Sequence, residues 1–406
     1  MKNKIVFTIY FLISAIISIY FGGFSGLWYF IFSVFIGGIV LLYEPKEGDE
    51  IKIPKFFFII PVVIFLISRL LPFYLYSPHP LGYDTGFYKH SIEMERSGKL
   101  GNLHLSEVES TGSRIIIKAL INAGLSDDAI MYNFYIVIGI LIGLLIFLIS
   151  KFYFGETAAF FSIFAYSISF IQYLAFWNMF WKNAIGIFLI LLAFYLIEKE
   201  KLIYYLISLP LIGFVYITHR TSAFILFVSL IIYVVINKKI RNKYKLVSII
   251  ALSIMSIIFI LINKNILISL WDQINSSFSA HYDVFSLKEG IFIENQQFID
   301  IGYSFFYLPF GLLTIINLIK KREINQTLIF SLVCAILIII KFVFYKRIFV
   351  FFDIGLLIFF GYSFLIFIKR IGATTSVIYR RWFLFILLLF PVILFFVNVF
   401  NQKPLI

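Results

Sequence analysis

The chain has 406 residues, of which 62% are hydrophobic and only 14% charged, and its net charge is +13. Such proportions exclude a soluble globular domain. They turn the positive charge from a nucleic-acid signal into a signal of membrane topology and anionic lipid.

A membrane-spanning helix needs roughly 20 apolar residues, and about thirteen such runs follow one another here. They are predicted at 4–21, 24–43, 55–75, 129–150, 157–176, 183–197, 201–217, 222–237, 246–263, 301–319, 326–344, 347–368 and 382–400. The chain therefore reads as an all-α polytopic integral membrane protein. The first run follows Lys2 and Lys4 in the manner of a signal peptide. No small-residue cleavage site follows and a second run comes at once, so it is expected to stay as the first helix. The single cysteine, Cys334, leaves no intramolecular disulfide and no cysteine-based metal site.

Three parts are expected: N-terminal membrane helices over 1–54, a central membrane module over 55–240, and C-terminal membrane helices over 241–406. The short connections NKKIRNKYK, KKRE and YRR are basic, which places them in the cytoplasm. A multi-pass protein of the cell membrane follows, with its N-terminus inside and both long loops, 76–128 and 264–300, outside.

The first external loop is predicted to be folded. A helix over 86–97 is expected to start at Asp84 or Thr85 as N-cap. SGKLGN then makes a turn. SRIIIKALINA has helical apolar spacing, with Arg114 and Lys118 on one side, as in an amphipathic helix lying along the interface. Gly124 ends it, and Ser126-Asp127-Asp128 cap the next membrane helix.

The candidate chemistry centres on GYDTGFYK, residues 82–89. Asp84 is either a general base for a substrate hydroxyl or a helix N-cap. Tyr83 and Tyr88 either line a sugar site or are ordinary interfacial aromatics. Gly82 and Gly86 permit close backbone approach. Lys182, His219 and Arg220 fall at the outer surface. Cations there either bind a lipid-linked phosphate and stabilise charge on a leaving group or snorkel to headgroups. Arg347 is a further phosphate candidate. Asp353 is an acid inside a span, the intramembrane type that faces a bundle interior, with Lys341 of the neighbouring helix as its candidate partner. Asp283, Glu289 and Glu294 offer a second carboxylate or are solvated loop acids. No phosphate-cradling glycine loop, zinc spacing or nucleic-acid module is found.

G-x-D-T-G-x-Y in a first external loop, after an early membrane helix, resembles the GT-C superfamily of membrane glycosyltransferases, which includes protein mannosyltransferases. WNMFWKNAIGIFLILLAFYLI and YITHRTSAFILF are equally similar to membrane O-antigen and exopolysaccharide polymerases. The resemblance covers residues 55–240 and, loosely, 340–365. It implies a glycosyltransferase with a GT-C-like fold, working at the external face by one-step inversion. The donor it implies is a sugar on polyprenyl phosphate, and the acceptor a glycan, lipid or protein. By the same resemblance Asp84 is catalytic and His219, Arg220, Arg347 and Lys182 meet the donor phosphate. A polymerase using pyrophosphate-linked glycans and a lipid-linked sugar flippase are the alternatives. The sequence departs from the metal-dependent oligosaccharyltransferases: no Asp-x-Asp is present, no Asp–Glu pair stands at Asp84, and no large C-terminal soluble domain is expected. No cofactor is implied, and a divalent metal is left open.

Overall fold

The computed structural model describes residues 2–21, 23–42, 51, 53–76, 81–82, 84–98, 111–199, 201–236, 306–340, 345–372 and 377–401. All regular structure among them is helical. In chain order the helices are α1 (Lys2–Phe21), α2 (Gly23–Gly37), α3 (Ile59–Tyr76), α4 (Thr85–Arg96), α5 (Thr111–Asn122), α6 (Phe134–Phe154), α7 (Glu156–Ser167) and α8 (Phe170–Trp177). Then come α9 (Trp181–Ile197), α10 (Leu202–Thr218), α11 (Arg220–Ile236), α12 (Leu308–Lys321), α13 (Gln326–Ile339), α14 (Tyr345–Gly372) and α15 (Val377–Asn401). The predicted run at 246–263, the second long loop with Asp283, Glu289 and Glu294, and the residues Tyr83 and Lys341 lie outside the described residues.

α14 is the axis of the bundle, packed on α7, α12 and α13. Lipid offers no hydrophobic drive between helices, so small residues and hydroxyls hold them together. Thr314 Oγ1 of α12 donates to Phe359 O at 2.8 Å and lies 2.6 Å from Ser363 Oγ. Ser162 of α7 donates to Ile358 O at 3.2 Å. The rim is apolar instead. Ile59, Val63, Ile67 and Leu70 of α3, and Phe385, Ile386, Phe390 and Ile393 of α15, are exposed, as suits helices that face acyl chains.

The predicted count of thirteen spans is not reached among the described residues. Four helices are long and apolar enough to cross a membrane, or up to six if each of two bent pairs is one span. α9, α10 and α11 have 17 residues each. At 1.5 Å per residue that is about 25 Å, less than the ~30 Å of a hydrocarbon core. The run predicted at 157–176 is broken: α7 and α8 meet at 44°. α12 and α13, predicted as two spans, turn by 117° around Arg322, whose φ is 56°.

Two buried charges brace the α7–α8 break. Asp353 of α14 is fully buried. Its Oδ2 accepts from Ser169 Oγ at 2.7 Å and Gln172 Nε2 at 2.9 Å, and its Oδ1 accepts from Tyr307 OH. Three neutral donors therefore hold the carboxylate; Lys341, the partner nominated from the sequence, lies outside the described residues. Arg69 of α3, 1% exposed, approaches the other side, with Nη1 donating to Ser68 Oγ at 2.6 Å and Ser167 O at 3.4 Å. The cation thus meets the carbonyl end of α7, and the anion meets the N-terminus of α8 at its Ser169 cap. Each sign suits the helix end it faces.

Candidate active site

The described helices of the first long loop, α4 and α5, fold back onto the bundle. They pack together, and α5 lies on α10. Arg114 and Lys118 are exposed. Arg114 Nε donates to Glu95 at 2.9 Å, and Arg96 Nη2 to Asp127 Oδ1 at 2.7 Å and Leu125 O at 2.9 Å. With Asp127 so engaged, Ser126 Oγ takes the Ala129 N–H at 3.3 Å at the start of the α6 span.

Gly82 anchors the loop. A Cβ there would lie 1.8 Å from Trp177 O and 2.6 Å from Asn178 Cα, so only glycine fits against the α8–α9 turn. That turn is itself unusual. Met179 is fully buried and left-handed, with φ 57°. Such a conformation costs a few kcal/mol at most and marks functional regions more often than ordinary turns.

Asp84 stands at the N-cap position of α4, and its carbonyl accepts the first helical bond, from Tyr88 N–H at 3.1 Å. Its side chain makes no capping bond. Thr85 tightens the turn instead, its Oγ1 accepting from Gly82 N–H at 3.1 Å. The Asp84 carboxylate is half-buried, and among the described residues nothing donates to it. Burial raises its pKa above the ordinary carboxylate value; the charges of Arg347 and Lys182 pull the other way and only partly offset it.

The two cations ride on aromatic faces either side of the α8–α9 turn. Lys182 Nζ, in the first turn of α9, lies 5.5 Å from the Tyr88 ring and 5.8 Å from the Phe87 ring. Arg347 Cζ, in the first turn of α14, lies 4.8 Å over the Phe180 ring. Tyr88 is buried, 7% exposed, and tilted against Trp181 at 6.1 Å.

His219 is the single extended residue between α10 and α11, with φ −150° and ψ 118°. Its Nδ1 accepts the Ser222 N–H at 3.3 Å and lies 2.7 Å from Ser222 Oγ. An accepting Nδ1 leaves the ring proton on Nε2. The ring stacks parallel to Phe351 at 6.4 Å. Gly186 of α9 packs behind, where a Cβ would fall 2.1 Å from Ser222 Oγ. Burial first, then the charges of Lys182, Arg347 and Arg220, push the His219 pKa down to about 3. At that value His219 is a neutral hydrogen-bond donor. Arg220 opens α11 beside it, half-buried.

Asp84, Lys182, His219, Arg220 and Arg347 thus form one electrostatically linked group drawn from α4, α9, α11 and α14. Asp353 lies six residues beyond Arg347, about 9 Å along α14, bonded into the α7–α8 break. Phe180, Phe351, Ser222 and Met179 were not singled out from the sequence, although Ser222, three residues after His219 and entering a helix, has the spacing of a local hydrogen-bond partner. Among the described residues no three His, Cys, Asp or Glu side chains gather as metal ligands.

Residues 116–265 match the family model described as dolichyl-phosphate-mannose-protein mannosyltransferase. The match runs from within α5 through α11, and with them takes in Lys182, His219 and Arg220; Asp84 and Arg347 lie outside it. The chain is thus similar to membrane glycosyltransferases of GT-C type, and its apolar helices are those of a membrane protein. No curated protein matches it.

Proposed function

We propose that the chain transfers a sugar from a polyprenyl-phosphate-linked donor to an acceptor hydroxyl at the external membrane face. The observation that carries this reading is the pairing of an unbonded, half-buried Asp84 carboxylate with the Lys182 and Arg347 cations that act on it. Lys182, His219 and Arg220 lie in the segment similar to a family of lipid-linked-sugar transferases, and Asp84 and Arg347 act on the same group from outside it.

In this mechanism the acceptor oxygen attacks the anomeric carbon as its proton passes to Asp84. The bond from that carbon to the phosphate oxygen breaks, with inversion. Polyprenyl phosphate leaves with the electron pair. Arg347, Lys182 and Arg220 meet the growing negative charge, and His219 donates its Nε2–H to a phosphate oxygen. A raised pKa makes Asp84 a better proton acceptor than a free aspartate. Tyr88 and the other aromatics of the loop hold Lys182 in place.

The test is transfer by purified protein from polyprenyl-phosphate sugars, with products identified by mass spectrometry. A single sugar bonded to the acceptor supports the proposal. Long glycans from a pyrophosphate-linked donor would make the chain a polymerase. Translocation of the lipid-linked sugar with no new bond would make it a flippase.

A further inference from the structure

Arg69 and Asn183 line one partly enclosed cavity of about 20 Å³ between α3, α6, α7, α8, α9 and α14. Both are buried, at 1% and 3% exposed. Arg69 Nε and Asn183 Nδ2 are buried donors with no acceptor. Arg69 makes no ion pair among the described residues. Its partners are Ser68 Oγ, the Ser167 carbonyl and the face of Phe65, 4.4 Å from Cζ. Gln172 shares the cavity, but its amide nitrogen is spent on Val350 O and Asp353. The cavity thus collects a full positive charge and two orphan N–H donors, and the Asp353 carboxylate is already satisfied by neutral groups.

An isolated guanidinium inside a bilayer protein is costly, and an unmet buried donor adds to the cost. We propose that this cavity binds a small monovalent anion of the halide class, held by Arg69 Nε and Asn183 Nδ2. A space of this size holds one or two water-sized occupants. A phosphate group attached to a lipid is too large for it, so the site is separate from the donor phosphate and does not depend on the proposed transferase reaction. Asn183 follows Lys182 in the first turn of α9. The anion would therefore pin α9 to α3.

The test is thermal melting of the purified full-length protein in detergent, in sodium chloride, bromide or gluconate at equal sodium concentration. Halide should raise the melting temperature saturably where gluconate does not. Asn183→Leu, which removes a donor that has no partner, and Arg69→Met should abolish that response. If Arg69→Met fails to fold, Asn183→Leu carries the comparison. Crystals grown in bromide should show an anomalous peak between Arg69 and Asn183. Equal melting in halide and gluconate, an unaltered halide response in a folded variant, or a bromide-free cavity bridged by water would overturn the proposal.

Discussion

Asp84 stands at the head of α4 with nothing bonded to its carboxylate, and that separates two roles that coincide at the level of sequence. N-cap preference and general-base chemistry choose the same residue type, so GYDTG alone leaves both open. The geometry gives the tightening of the turn to Thr85. Asp84→Asn and Asp84→Ala should therefore both fold and both lose about 10² to 10⁴ of the transfer rate, measured with a purified lipid-linked sugar. Stability should move the opposite way. Burial raises the folded-state pKa of Asp84, so the folded chain binds this proton more tightly than the unfolded chain. That contribution is fully present below the free-aspartate value of ~3.9 and is lost as pH rises through the raised value. Asn carries no charge to desolvate, so Asp84→Asn should melt no lower than wild type at pH 7 and higher if the shift is large; because Asn caps a helix about as well as Asp, a clear drop in Asp84→Ala that Asp84→Asn does not share would restore the capping role. His219 gives a second test. With a pKa near 3 it stays neutral from pH 5 to 8, and the rate profile should show no histidine limb near 6.5. His219→Gln keeps an N–H donor and should retain more activity than His219→Ala.

The helices themselves could be read from apolar run length, and every predicted run among the described residues meets a helix. What run length cannot register is where a run breaks. FSIFAYSISFIQYLAFW is apolar apart from three serines and Gln172, yet it divides at Ile168 because Ser169 caps α8, its Oγ accepting from Gln172 N–H at 3.2 Å. The residues that fix the break come from α3, α12 and α14, far away in the chain, and no local pattern names them. Asp353 shows the same limit: its isolation in a span pointed to the bundle interior, but nothing in the local sequence names Ser169, Gln172 and Tyr307, the three neutral donors that hold it. Removing the acceptor strands those donors, so Asp353→Leu should lower stability by ~3 kcal/mol, while Asp353→Asn, which keeps one oxygen and can donate in return, should cost less. Differential melting in detergent measures both. Gly82 is the corresponding test for the loop. Its Cβ position is occupied by Trp177 O, so Gly82→Ala should displace the loop from the α8–α9 turn at a cost of ~1–3 kcal/mol, and lower transfer along with Asp84 misplacement. Unchanged turnover in that variant would mean that the turn does not set the position of Asp84.

At the scale of the whole molecule the reading depends on sidedness. Asp84, Lys182, His219 and Arg347 share one group, so α4, the start of α9, the α10–α11 junction and the start of α14 belong to the same end of the bundle. The basic ends Lys199–Lys201 and Lys320–Arg322 lie at the other ends of α9 and α12, and Lys369 and Arg370 end α14. Basic residues collect on the cytoplasmic side, so the proposed reaction predicts a candidate site outside, where a lipid-linked sugar is its donor. Two exposed positions on described segments test it: Ser97, just past α4, and Arg322, in the α12–α13 turn. The native thiol Cys334 is buried and should give little background. Intact cells expressing Ser97→Cys or Arg322→Cys would be treated with a membrane-impermeant thiol reagent. Ser97→Cys should be labelled, and Arg322→Cys should be labelled only after the membrane is opened. The reverse pattern would put Asp84 and its cations in the cytoplasm. The site geometry would survive that result, but the external lipid-linked donor would not, and a cytoplasmic donor would have to be sought for the same five residues.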